Sequence, residues 1–77
     1  MTIRVTVRLA GGLVQTLGFS KREIELDPHA TVAELLEAIG TEPARGVIVA
    51  RNGWAVDGAE TLDDGDRVLV APVFSGG

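Results

Sequence analysis

The sequence predicts an α+β domain in which one mixed sheet packs on one main helix. Two observations lead to this prediction: strand-like segments lie near both ends of the chain, and a single capped amphipathic helix lies between them. A chain of 77 residues makes one domain with a small core. We assign residues 1–72 to this domain and residues 73–77 to a flexible C-terminal tail.

Two strands are predicted in the first third of the chain. Apolar residues alternate with arginine and threonine over residues 3–9, which is typical of a half-buried strand. Within residues 11–20, Gly12 and Gly18 flank a short piece with helical spacing of its apolar residues, and we predict a loop with one helical turn there. Residues 23–26 alternate again and predict a second strand, antiparallel to the first, which Asp27-Pro28 ends.

The main helix is predicted from its cap and its spacing. Thr31 and Glu34 form the T-x-x-E pattern of a capping box, in which each side chain satisfies a free amide of the first turn. Gly40 is placed to end the helix. The apolar stripe has helical spacing and comprises Val32, Leu35, Leu36 and Ile39.

Three further strands are predicted after the helix. Residues 47–50 are an unbroken apolar run, which indicates a strand covered on both faces or lying inside the sheet. Asn52-Gly53 predicts a hairpin turn into residues 54–56. Residues 67–71 form the last strand, which Pro72 is expected to end. If the first and last strands are neighbours they run parallel, because the chain returns through the helix. This is the β-grasp arrangement of ubiquitin-like proteins.

Composition excludes several classes of function. The net charge of −4 argues against nucleic acid, which needs clustered cations. The absence of cysteine excludes disulfides, cysteine-ligated zinc and a thiol nucleophile, and one histidine without paired carboxylates at a cleft argues against an enzyme. A small domain without disulfides, signal peptide or long apolar run is expected in the cytoplasm, away from membranes.

Two groups of charged residues are predicted to have structural roles and no ligand. The acidic run at residues 63–66 lacks the spacing of a calcium loop, so we predict a turn and no metal site. Four arginines are predicted to cluster on the outer face of the sheet, where strand charge discourages edge aggregation. They are Arg4, Arg8, Arg51 and Arg67.

The last residues point to a terminal carboxylate that another protein can reach. Glycine has no Cβ, so Gly76 and Gly77 can pass through a narrow enzyme channel, with Ser75 as a small neighbour. The alternative is a frayed terminus, where small residues usually collect.

Five segments together resemble the ThiS/MoaD family of ubiquitin-like sulfur carriers. They are the opening strand at residues 3–9, Thr31-Val32-Ala33-Glu34-Leu35-Leu36, Val49-Ala50-Arg51-Asn52-Gly53, Leu62-Asp63-Asp64-Gly65-Asp66-Arg67-Val68, and the terminal Gly76-Gly77. The long connection at residues 10–23 resembles MoaD-type proteins. The two apolar residues Val73-Phe74 before Ser-Gly-Gly resemble ThiS-type proteins.

The resemblance implies a co-substrate role. A ubiquitin-activating-like adenylyltransferase would use ATP to adenylate the carboxylate of Gly77, and sulfur from a persulfide donor would displace AMP and leave a thiocarboxylate. A synthase would accept that sulfur in cofactor biosynthesis, with molybdopterin favoured and thiamine next. The carrier would bind no cofactor or metal and would have no catalytic residues of its own.

Four apolar residues are candidates for partner contact. Phe74, assisted by Val73, is predicted to anchor a partner, the alternative being that it folds back onto the domain. Trp54 either contacts a partner or caps the core. Leu69 is predicted to face outward and contact a partner, although packing against residues 11–20 is the alternative.

Two other functions stay open. The same activated Gly77 would serve a protein modifier that is joined to lysines of other proteins. A non-covalent β-grasp interaction module would not need Gly76 and Gly77 at all.

Overall fold

A computed structural model describes residues 1–41 and 46–73 of the chain. Within these ranges the chain forms β1 (Ile3–Leu9), α1 (Leu13–Leu17), β2 (Lys21–Leu26), α2 (Val32–Ile39), β3 (Val47–Arg51), β4 (Trp54–Val56) and β5 (Arg67–Pro72). Neither helix is long and apolar enough to cross a membrane.

The five strands form one mixed sheet in the order β2-β1-β5-β3-β4. The first strand pairs antiparallel with β2 and parallel with β5, while β3 pairs antiparallel with both β5 and β4. The parallel pairing of the first and last strands was predicted from the intervening helix. The sheet therefore has the expected β-grasp topology.

The predicted capping box begins α2. The Glu34 amide donates to Thr31 Oγ1 at 3.2 Å, and the Thr31 amide donates to Glu34 Oε1 at 2.9 Å. Two of the free amides in the first turn are thereby satisfied. Gly40 ends the helix with a φ of 99°, a conformation that favours glycine.

The core lies between α2 and one face of the sheet. Its eleven residues are at most 8% exposed: Val5, Val7 and Leu9 of β1, Val32, Leu35, Leu36 and Ile39 of α2, Val49 of β3, Leu62, and Val68 and Val70 of β5. The short helix α1 and Phe19 also pack against this core, through half-buried side chains. The opposite face of the sheet is called the outer face below.

Four boundaries differ from the sequence prediction, and one of them is the end of β3, which runs one residue further than predicted, to Arg51. Residues 13–17 form a complete short helix, and β2 begins two residues early, at Lys21. The last strand runs one residue beyond the predicted 67–71, because Pro72 pairs with Val47 as its final residue, and the next amide, of Val73, still donates to the Gly46 carbonyl at 2.8 Å. Proline removes only its own donor, so the hydrogen bonding continues past it.

Candidate functional site

The outer face carries an apolar patch centred on β5. Leu69 is 44% exposed and points away from the core, since its neighbours Val68 and Val70 are buried. Cross-strand partners share a face, and Leu69 pairs with Ala50 while Ala71 pairs with Ile48. We call Ile48, Ala50, Leu69 and Ala71 the outer patch.

The outer patch explains the unbroken apolar run of β3. This strand lies inside the sheet, as one alternative predicted, but only its inner face is covered. Ile48 is 49% exposed on the outer face, whereas Val49 is 6% exposed in the core. The alternative that Leu69 packs against residues 11–20 is wrong, because α1 lies against the core on the other side of the sheet.

Cations border the outer patch. Arg8 pairs with Leu69 across β1 and β5, and Arg67 and Lys21 share this face by register. Arg8, Arg67, Leu69 and Ala50 are among the residues that line a shallow concavity there. Further out, Arg4 approaches Glu25 at 3.9 Å, and both side chains are more than 60% exposed. The patch is therefore an apolar surface with a positive border.

Arg51 does not belong to this border, so its predicted place on the outer face is wrong. It pairs with the buried Val68 and extends on the helix side of the sheet. Its Nε donates to Asp66 Oδ2 at 2.6 Å, and its other nitrogens donate to Glu60 at 2.8 Å and to Asp63 at 2.9 Å. We call these four residues the Arg51 cluster.

Asp66 is the buried centre of the Arg51 cluster, with 6% of its surface exposed. Burial alone raises the pKa of its carboxyl, but hydrogen bonds from the Asp63 amide, the Arg51 guanidinium and the Asn52 side chain outweigh burial, so its pKa lies below the ordinary value. The bond to Asp66 likewise raises the pKa of Arg51.

The Arg51 cluster has a structural role that the sequence analysis missed. Asn52 Oδ1 also accepts from the Arg67 amide at 2.9 Å, so the β3–β4 hairpin is tied to the turn before β5. The acidic run does form the predicted turn, with Gly65 at a φ of 87°. The sequence did contain one signal for this contact. Two polar turn motifs, Asn52-Gly53 and Asp64-Gly65-Asp66, stand outside the predicted strands.

Trp54 lies on the opposite face from the outer patch. It pairs with Arg51 and is 77% exposed, so it does not cap the core. The structure therefore does not bring Trp54 and Leu69 together in one surface. In the described part of the chain, no group of three histidine or acidic side chains is arranged to hold a metal ion.

Val73 is the last described residue of the predicted tail. It is 51% exposed, and its amide is held by the Gly46 carbonyl. The predictions for Phe74, Ser75, Gly76 and Gly77 fall outside the described residues. The partner contacts of Val73, Leu69 and Trp54 stay predictions as well.

Several archaeal proteins have solved structures of similar fold. A Pyrococcus furiosus protein assigned to molybdopterin converting factor, subunit 1, is 31% identical with a TM-score of 0.80, covering 94% of this chain and 99% of its own. Small archaeal modifier protein SAMP1 of Haloferax volcanii is 26% identical with a TM-score of 0.79, covering 96% and 99%. Caldiarchaeum subterraneum ubiquitin is 25% identical with a TM-score of 0.68, and both chains are fully covered.

Comparison with curated proteins found no match. The profile of the ThiS family, in contrast, matches residues 7–77, which is most of the chain and includes both terminal glycines. The match takes in the last three residues of β1, the strands β2 to β5 and both helices. The chain belongs to the ThiS family.

Proposed function

We propose that this protein is a sulfur carrier that accepts and donates sulfur at the carboxyl group of Gly77. The observation that carries the proposal is the family match, which extends over the β-grasp domain and through Gly76-Gly77. The exposed outer patch, centred on the strand that leads into the tail, supports it, because an activating partner needs a surface to bind.

The chemistry needs activation by a partner. A carboxylate is a poor acyl donor because oxide is a poor leaving group, so an ATP-dependent adenylyltransferase first converts it to an acyl adenylate. A persulfide sulfur then attacks the carbonyl carbon and AMP leaves. A thiol cleaves the resulting acyl disulfide and releases the thiocarboxylate. The chain takes part as a co-substrate, so it needs no cofactor and no catalytic group of its own.

The domain positions the reacting carboxylate. In this proposal the outer patch docks on an apolar surface of the activating enzyme, and Arg8 and Arg67 meet acidic side chains around it. Val73 and Phe74 extend this contact. Four residues follow Val73, and a fully extended chain of that length spans at most about 14 Å. The adenylating site therefore lies within that distance of the docked strand end.

The acceptor of the sulfur is assigned by similarity. The Pyrococcus furiosus protein at 31% identity is assigned to molybdopterin converting factor, which favours a synthase of molybdopterin biosynthesis over one of thiamine biosynthesis. The long connection that contains α1 agrees with the MoaD-type resemblance. The carrier would meet ATP and its partners in the cytoplasm.

Protein modification is a second candidate, favoured by a specific observation. SAMP1 of Haloferax volcanii and Caldiarchaeum ubiquitin resemble this chain at 26% and 25% identity. In that function a lysine amine of another protein attacks the acyl adenylate of Gly77, forms an isopeptide bond and releases AMP. A non-covalent interaction module is the remaining alternative.

The test is an intact-mass measurement after incubation with ATP, an activating enzyme of this family and a persulfide donor. We expect a mass gain equal to replacing one oxygen by sulfur, located at Gly77 and requiring ATP. Deletion of Gly77 should abolish the gain. Glu37→Gln, an exposed change on α2, should leave it intact.

The outcomes separate the three candidates. Isopeptide adducts on lysines of other proteins, without the sulfur product, would favour the modifier. If an enzyme proven active on its own carrier produces neither, both covalent functions are contradicted. The interaction module would then lead.

A further inference from the structure

Trp54 is a large apolar side chain that the fold leaves in water. It lies within β4, is 77% exposed, and is the chain's one tryptophan. Burial of an indole would stabilise the fold, and an exposed Trp54 does not contribute this stabilisation. Core packing and the proposed sulfur chemistry both leave this side chain without a role.

Trp54 lies in a concavity that adjoins the negatively charged Arg51 cluster. Trp54, Arg51, Asn52, Val56 and Glu60 line a concavity on the helix side of the sheet. The Arg51 cluster has one guanidinium and three carboxylates, so its net charge is −2. The side chains of Glu60 and Asp63 are 40% and 78% exposed, which leaves their outer oxygens open to a partner.

We propose that Trp54 and this concavity form a second docking surface, which binds an arginine side chain presented by a protein partner. The face of an indole attracts cations, and a guanidinium stacks on it while donating to carboxylates at its edge. An arginine seated beside Trp54 would find the indole and Glu60 in one concavity. An acidic partner would be repelled by the net charge of the Arg51 cluster.

This surface is separate from the outer patch and from the tail. Trp54 pairs with Arg51, and Arg51 pairs with Val68, five positions before Val73. At the rise of a strand, this separation is about 16 Å along the sheet. Trp54 also lies on the other side of the sheet from Leu69. The arginine-bearing partner can therefore bind while another protein holds the outer patch and the tail.

The first test compares two tripeptides on the wild-type protein. The probe is acetylated, amidated Ala-Arg-Ala, and the matched control replaces arginine by citrulline, whose neutral urea has nearly the same shape as a guanidinium. Amide NMR spectra should show saturable shifts of the Trp54 indole and of the Asn52 and Gly53 amides with the arginine peptide. We expect citrulline to weaken binding about fivefold or more, from loss of the cation–π and ionic contacts. Equal binding of both peptides would overturn the proposal.

Variants then locate the site. Trp54→Ala should abolish the shifts of Asn52 and Gly53, and Trp54→Phe should retain part of them, since phenylalanine is a weaker cation–π partner. Glu37→Gln removes a negative charge from α2 and should bind as the wild type does. If the shifts survive in Trp54→Ala, or decline equally in Glu37→Gln, binding is general charge attraction and the proposal is wrong.

Discussion

The two faces of β5 show how one strand serves two purposes. Its inner face places Val68 and Val70 in the core at 1% and 0% exposure, while its outer face leaves Leu69 at 44%. All three are aliphatic side chains of similar hydrophobicity. The inner face is committed to folding because it meets α2, and the outer face stays available because no element of the described chain covers it.

The arginines of the sheet repeat this contrast. Arg51, on the helix side, is held by three carboxylates at 2.6 to 2.9 Å. Among the described residues, Arg4 on the outer face forms one ion pair, a 3.9 Å approach to an exposed glutamate, and such a pair contributes little to stability. Position in the register, rather than residue type, decides whether an arginine holds the fold together or remains available to a partner.

The largest expected effect is on the inner face. Val70→Ala removes two buried methyl groups and leaves a cavity, so the free energy of unfolding should fall by about 2 to 3 kcal/mol. Urea denaturation measures this fall in the free energy of unfolding. Leu69→Ala, one residue away, should cost less than about 1 kcal/mol. Equal losses in the two variants would show that the outer face also contributes to the core.

The outer face should show the reverse dependence. Leu69→Ala should lower kcat/KM for adenylation roughly tenfold, because an apolar anchor at a docking surface is lost. Steady-state kinetics with the activating enzyme measures this change. Gln15→Ala on the exposed side of α1 is the control and should have no effect. An unchanged rate for Leu69→Ala would place the docking surface elsewhere.

The smallest expected effect concerns Asp66 in the Arg51 cluster, on the helix side of the sheet. Because the folded-state pKa of Asp66 lies below its ordinary value, its stabilising contribution is complete above the ordinary pKa and is lost as the pH falls through the folded-state pKa. Asp66→Asn should be less stable by about 1 kcal/mol at neutral pH. Its stability should also decline less steeply on acidification below about pH 4.

Unfolding measured across this pH range in the wild type and in Asp66→Asn isolates the contribution of Asp66, since the other carboxylates are common to both proteins. Parallel curves would mean that the Arg51 cluster does not depend on this carboxylate.

Much of the fold was predictable because local patterns and long-range packing agree. Alternation over residues 3–9 fixes the inner face of β1, and the capping box fixes the start of α2. The parallel pairing of β1 with β5 followed from the connection through the helix. The orientation of Leu69 was also accessible, since Val68 and Val70 must share a face.

The Arg51 cluster was not predictable in the same way. An unbroken apolar run does not show which of its residues face the core, so residues 47–50 could not indicate the face of the sheet on which Arg51 lies. The pairing of β3 with β5 determines that face. Asp66 stands in an acidic turn that looks fully solvated in the sequence, yet its carboxylate is buried and accepts from Arg51 and Asn52 of the β3–β4 hairpin and from the Asp63 amide of its own turn. Trp54 pairs with Arg51, so it lies on the same face of the sheet as Arg51.

The central position of β5 has a mechanical consequence. Four of its residues pair with β1 and five with β3, so it is held through Val70 on the β1 edge and through Pro72, where the tail begins, on the β3 edge. A partner that draws the tail into its active site pulls along the axis of this strand, and the hydrogen bonds on both sides resist in shear and share the force. Peeling an edge strand would break such bonds one at a time. The domain can therefore withstand traction on its own terminus while it stays folded.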